Sequence, residues 1–150
     1  MAGRFGLEIR AANAGDASGI VDLVTSCGAP ALVPGALAER LEALRHKPGA
    51  TLLAVEWGPP SGLIAMHWYD SFDVATPTAL ITSLLVAPET RRRGIGRALL
   101  KAASHSARQA GCGALQLLAP PQETTLAAFC RATGFVEASA GFMRPLRKKG

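Results

Sequence analysis

A mixed α/β fold is predicted by three features of the sequence. Strand-like and helix-like segments alternate along the chain. One of them, residues 80–86, is a continuous apolar run of the kind that fills the centre of a sheet. The segment after it, residues 94–110, places Ile95, Leu99, Ala102 and Ala103 at helical spacing, with Gly111 as its stop.

The other elements follow in order. Residues 7–11 alternate enough for a first strand, and Asn13 to Asp16 supply caps for a helix over Ala17–Ser26. Ile20, Leu23 and Val24 share one face of that helix, and Gly28 and Pro30 end it. A second helix is predicted over residues 34–45, with Leu37, Leu41 and Leu44 inward and Lys47-Pro48-Gly49 as the stop. Residues 51–57 and Gly62–Tyr69 flank the turn Gly58-Pro59-Pro60-Ser61 and read as a hairpin. Residues 114–118 form a short strand closed by Pro120-Pro121. Residues 124–133 form a last helix with Leu126, Phe129 and Cys130 inward and Gly134 at its end. Residues 135–137 and 141–144 are expected as a final pair of strands.

The length of 150 residues fits a single domain spanning 1–150. Apolar residues make up 49% and aromatics only 5%, so Leu, Val, Ile and Ala must build the core. No apolar run approaches the roughly 20 residues of a membrane helix, so no membrane partner is expected. Residues 1–10 lack the apolar stretch of a signal peptide, and a cytoplasmic location is expected. Cys27, Cys112 and Cys130, like His46, His67 and His105, are too scattered for a disulfide framework or a metal site.

The net charge of +5 raises the question of nucleic acid. Its distribution argues against that partner. Arg91, Arg92, Arg93 and Arg97 form one block, and Arg144, Arg147, Lys148 and Lys149 another. Without them Lys and Arg fall from 16 to 8, against 11 acidic residues. The first block looks like a phosphate site and the second like a solvated tail.

The phosphate reading rests on context. A buried strand ends at Val86 and Pro88, a loop follows, and Gly94-Ile95-Gly96-Arg97 opens a helix. The first N–H groups of a helix have no intrahelical partner, and with the positive end of the dipole they bind anions. Gly94 and Gly96 lack the β-carbons that would hold a phosphate away. A dinucleotide fingerprint would need a third glycine where Leu99 stands, and a Walker loop would need Gly-Lys-Ser/Thr. Neither is present.

These residues carry a family resemblance. Arg91-x-x-Gly94-x-Gly96 resembles the Gln/Arg-x-x-Gly-x-Gly/Ala signature of the GNAT family of N-acetyltransferases. Leu84-x-Val86-x-Pro88 before it, Arg97-x-Leu99-Leu100 after it, Phe129-Cys130-x-x-x-Gly134-Phe135 and Ile9-Arg10-x-Ala12-x-x-x-Asp16-Ala17 stand where that family has them. The resemblance implies a splayed central sheet flanked by helices, with acetyl-CoA as cosubstrate in the gap beside residues 80–86. It implies that Leu84, Leu85 and Val86 pair with the pantetheine arm. Arg91, Arg92, Arg93, Gly94, Ile95, Gly96 and Arg97 would hold the pyrophosphate. A backbone N–H near Leu85 or Val86 would polarise the thioester. An amine then attacks directly and CoA leaves as a thiolate. The expected acceptor is a small-molecule primary amine. A protein or aminoacyl-tRNA acceptor and a non-catalytic acyl-CoA binder are the alternatives. A homodimer is a further expectation at the level of the family.

Three positions depart from the pattern. The family's frequent acid, a Tyr, is Cys130 here, and three readings of it stand, one of them an acyl-Cys130 intermediate, which would need a nearby base. A thiol titrates near 8.5 and can donate a proton to a departing thiolate; a free cysteine on a helix is also an ordinary small apolar residue. The frequent carboxylate on the cofactor strand is replaced by Thr82-Ser83. Candidate replacements for it lie between Met66 and Asp73: His67, Asp70 and Asp73; His67 is best suited to act as a base near neutral pH, and it also reads as an ordinary strand histidine. Trp57, Trp68 and Tyr69 either line an acceptor pocket or pack. The frequent Asn before the last helix is Glu123, which alters a contact to the cosubstrate, and Phe129 precedes the cysteine.

Overall fold

A computed structural model describes residues 6–91, 93–119, 122–138 and 142–146. The backbone divides into two units, residues 1–118 and 119–150. The first contains strands β1 (Glu8–Ala11), β2 (Gly49–Val55), β3 (Gly62–Tyr69), β4 (Thr78–Val86) and β5 (Ala114–Leu117). Its helices are α1 (Ala17–Ser26), α2 (Pro34–Leu44) and α3 (Ile95–Gln109), with 3-10 turns at Ala14–Asp16 and Pro88–Thr90. The strands lie in the order β1-β2-β3-β4-β5. The first four run antiparallel, and β5 joins β4 in parallel. This is the mixed α/β sheet expected.

The two faces of the sheet follow from the two-residue period of the strands. Leu53 and Leu63 are buried on one face with Ile20, Leu23 and Leu41 of α1 and α2, and Ala65 and Leu85 pack beside them. Ala54, Ile64 and Met66 alternate with these and face the other side, which α3 covers. The buried stripe of α3 is Ile95, Leu99, Leu100, Ala103 and Ala107. Leu100 and Ala107 join the stripe, while the expected Ala102 is only half-buried.

The approach to α1 is fixed by polar groups. Asn13 Oδ1 accepts from the Gly15 N–H at 2.9 Å, and Asp16 Oδ2 accepts from the Asn13 N–H at 2.9 Å. The two bonds close a capping box. Asp16 also accepts from both guanidinium nitrogens of Arg10, at 2.9 and 2.8 Å. That guanidinium holds the Asp16 carboxyl below its ordinary range, with burial working against it. A depressed carboxylate stabilises the fold above its unfolded pKa and loses that effect as pH falls through the folded one. Asp16→Asn should therefore cost about 1–2 kcal/mol at neutral pH, the scale of a charge-assisted bond that is partly exposed. Urea midpoints of parent and variant should stay apart from neutral pH down to the ordinary carboxylate range and converge as pH falls below it. A gap that persists unchanged below that range would show that the ion pair contributes nothing.

The second unit holds α4, Thr124–Ala132. Gly134, at φ 95°, ends it, and the Phe135 N–H returns to the Cys130 carbonyl at 2.9 Å. This is the closure a left-handed glycine makes at a helix end. The expected strand at residues 135–137 is not formed: the segment is irregular, and Val136 is exposed. Residues 142–144 are irregular too, and Gly141 lies outside the described residues. Extended, alternating residues become a strand only when a neighbouring chain completes their hydrogen bonds, and no described strand pairs with either segment. Among the described residues no helix is long and apolar enough to cross a membrane.

Candidate active site at the open edge of the fourth strand

The site is built on a mismatch of length. β4 has nine residues and β5 has four. They pair from Thr78↔Ala114 to Ile81↔Leu117 and no further. From residue 82 to 86 the β5-facing edge of β4 has no strand partner among the described residues. Pro120-Pro121 follows β5 closely in sequence, and proline cannot donate to a ladder.

A β-bulge marks the point of departure. Ala65 pairs with Ser83 and Met66 with Ile81, so Thr82 is an extra residue on β4. Bulges bend a strand and increase its local twist. The bulge therefore sits where β4 parts from β5.

The peptide groups beyond the bulge alternate in direction. The Ala87 N–H donates to the Ser61 carbonyl at 2.8 Å, on the β3 side. By the two-residue period the groups of Leu85 also point to β3, and those of Leu84 and Val86 point to the open edge. The Val86 carbonyl is already engaged there: Arg91 Nε donates to it at 3.2 Å, and the Cys27 thiol lies at 3.6 Å. Among the described residues no strand faces the Leu84 groups or the Val86 N–H.

After the open edge the chain passes through the Pro88–Thr90 turn before it enters α3. Gly94 begins the helix at φ 80°, in the left-handed region, which favours glycine. No heavy atom outside its chain neighbours lies within 4 Å of where its β-carbon would stand. The first intrahelical bond goes from the Ala98 N–H to the Gly94 carbonyl at 3.0 Å, so the N–H groups of Ile95, Gly96 and Arg97 precede any α-helical acceptor. Ile95 is buried under the sheet, Gly96 is half-buried and Arg97 is exposed.

The arginines differ. Arg91 is tied by its Nε to Val86, and its remaining donors are exposed. Arg93 Nη2 is bonded to Glu56 at 2.8 Å, and Glu56 is largely covered. That pair joins the loop to the end of β2. Arg97 makes no side-chain hydrogen bond or ion pair among the described residues. Arg92 lies outside the described residues, as does the basic tail 147–150.

Among the other expected residues, His67 stands on β3 in line with Leu63 and Ala65, so it shares the α1–α2 face with Ser83. Asp70 and Asp73 are exposed in the loop after β3, and the Asp70 charge helps burial to raise the Cys112 thiol. Tyr69 donates its hydroxyl to Gln116 Oε1 at 2.8 Å, linking β3 to β5 across β4. Trp57 is exposed in the β2–β3 turn and Trp68 is half-buried. In the second unit, Glu123 caps the start of α4 and Phe129 stands within its second half. The Cys130 thiol there is raised by burial, with Arg131 opposing. The bulge at Thr82, the Arg93–Glu56 pair and the Cys27 contact had no counterpart in the reading of the sequence.

An open parallel strand leading to a glycine-started helix is the framework of a protein that binds a phosphorylated acyl carrier. Comparison gives this class a family. The profile of the Acetyltransferase (GNAT) family matches residues 19–142. The chain belongs to that family; it is an acyltransferase, and acetyl-CoA is its cosubstrate. No curated protein matches it in sequence. Among solved structures, an acetyltransferase of Trypanosoma brucei is similar, at 24% identity and a TM-score of 0.79, over 93% of this chain and 99% of the other. A transcriptional regulator from Bacillus halodurans reaches a TM-score of 0.83 at 19% identity, over 93% and 99%. The aminoglycoside N-acetyltransferase AAC(6')-Iy, solved in complex with CoA, reaches 0.79 at 20% identity, over 95% of each chain. At these identities the likeness is one of fold.

Proposed function

We propose that the protein, a single domain over residues 1–150, transfers the acetyl group of acetyl-CoA to a primary amine of a small molecule by direct attack. The observation that carries this reading is the unpaired edge of β4, residues 82–86, leading through the Pro88–Thr90 turn to the N-terminus of α3. An extended arm of amide groups fits such an edge as an added strand does. A pyrophosphate fits the helix start beyond it.

The chemistry follows from that placement. The Val86 N–H, pointing to the open edge, donates to the thioester carbonyl and stabilises the charge that develops on its oxygen. The amine nitrogen forms a bond to the carbonyl carbon, and the carbon–sulfur bond breaks with its electron pair on sulfur. The proton lost by nitrogen passes to water, and His67, which stands opposite Leu80 five residues along β3 from Gly62, the partner of Val86, receives it only through a chain of waters. An amine that is already unprotonated needs little more than positioning. The small-molecule acceptor is supported by the aminoglycoside substrate named for one structure of similar fold.

The arginines should separate in a binding assay. Arg97→Ala is expected to weaken acetyl-CoA by about 1–3 kcal/mol, a lost charge-assisted bond. Arg93→Ala should cost much less, because its guanidinium is paired with Glu56. Equal losses would mean that Arg93 leaves Glu56 for the ligand.

The decisive experiment is calorimetric titration with acetyl-CoA, with NADH as a control, followed by thiol release on a panel of amines. Saturable acetyl-CoA binding and amine-dependent thiol release are expected. Binding of NADH in its place, or thiol release indifferent to every amine, would overturn the reading.

A further inference from the structure

Residues 90–122 hold no Asp or Glu, and six Lys and Arg fall among them. Three of the six, Arg97, Lys101 and Arg108, stand on α3, and all three are exposed. Their spacing gathers them on one face of the helix, opposite the buried Leu99, Ala103 and Ala107. None of the three makes an ion pair or a side-chain hydrogen bond among the described residues.

The helix itself accounts for only one of these charges. Arg108 lies in the last turn, where a cation complements the negative end of the dipole. Arg97 lies in the first turn, where the positive end of the dipole opposes it. Lys101 follows Arg97 at i+4, and like charges at that spacing destabilise a helix. No acidic residue of the segment offsets the repulsion. An anion held between the two would.

The direction of the side chains brings Lys101 to the start of the helix. The Cα–Cβ bonds of a helix tilt toward its N-terminus, so a long side chain covers the turn before its own Cα. Lys101 therefore covers the turn of Arg97, beside the N–H groups of Ile95, Gly96 and Arg97 that precede any α-helical acceptor. Arg108 covers the turn of Ser104 and His105 instead. Its Cα stands about 16 Å along the axis from that of Arg97.

We propose that Lys101, with Arg97 beside it, is a subsite for a phosphate monoester, the 3'-phosphate of acetyl-CoA. The pyrophosphate and the 3'-phosphate branch from one ribose, so neighbouring turns of one helix serve both. The assignment rests on the placement of the pyrophosphate given above. It makes Lys101 the residue that separates acetyl-CoA from carriers without this phosphate.

The test is calorimetric titration of the full chain at low ionic strength with acetyl-CoA and with 3'-dephospho-acetyl-CoA. The parent should bind acetyl-CoA about fivefold more tightly, the scale of a charge-assisted contact open to water. Lys101→Gln should lose that preference by weakening acetyl-CoA alone, and Arg108→Gln should keep it. Equal affinities of the parent for the two ligands would overturn the subsite. So would a preference that survives in Lys101→Gln or vanishes as fully in Arg108→Gln. An equal loss for both ligands in Lys101→Gln marks damage to the helix start and overturns it too. Each of these results leaves acetyl-CoA binding by the parent in place, and with it the acetyltransferase reading. Folded parent that binds neither ligand would overturn both.

Discussion

Gly94→Asp should abolish acetyl-CoA binding at working concentrations, whereas Gly94→Asn should bind only a few-fold more weakly than the parent. Gly94 has φ 80° and ψ 11°, a region that asparagine and aspartate enter more readily than other side chains. The space around its missing β-carbon is open, so neither substitution meets a steric barrier. The two variants share shape and backbone cost, and they differ in one negative charge. A negative charge at the start of α3 favours the helix dipole. The aspartate variant should thus melt no lower than the asparagine one. The same charge stands where the pyrophosphate is expected. Two like charges about 4 Å apart near a surface repel by up to about 4 kcal/mol. A difference of about 2–4 kcal/mol between the variants corresponds to roughly 30- to 1,000-fold in Kd. Calorimetry at low ionic strength, paired with a melting curve for each variant, reads both quantities. If the two variants bind alike, the anion site is not at this helix.

That test was legible in the sequence because Arg91-x-x-Gly94-x-Gly96 has a local physical meaning. A glycine that opens a helix after a strand needs no knowledge of distant residues to be read. The bounds of α1 and β3 were legible for the same reason, since caps and turn residues punctuate both. What escaped the sequence depends on pairing. The bulge at Thr82 has no signature of composition, and it exists only because Met66 takes Ile81 as its partner. The Arg93–Glu56 bond needs the end of β2 to lie beside the loop before α3, which is known only once the sheet is assembled. The two final strands were overcalled because alternation marks an extended segment and does not supply a neighbour. A cavity beside His67 is lined from four elements distant in sequence, and the pattern of none of them announces it.

The close passage of α3 over the sheet makes Gly62→Val a strongly damaging change in the core. Gly62 begins β3 and is buried. A β-carbon there would stand 2.9 Å from Leu99 Cδ1, 3.0 Å from Ile95 Cγ2 and 3.1 Å from the Leu85 carbonyl oxygen. Leu99 is wholly buried and Ile95 nearly so, so neither side chain has solvent to move into. Alanine would already crowd the site, and valine adds two methyl groups to it. Overpacking of this kind costs about 1–3 kcal/mol, and the rigid carbonyl at Leu85 places valine near the upper figure. In a chain of this size each kcal/mol lowers Tm by about 2–4 °C, so a fall on the order of 10 °C is expected. The effect should reach the site, because relief comes most readily by lifting the N-terminal turn of α3. That movement shifts Gly94 and Arg97 relative to Val86, and acetyl-CoA binding should weaken along with stability. Leu99→Ala alone should also destabilise, by about 2–5 kcal/mol. Combined with Gly62→Val it should cost less than the sum of the two, since the new methyl groups occupy the space that Leu99 vacates. Strict additivity of the two changes, read from urea unfolding, would mean that α3 does not bear on the sheet at Gly62.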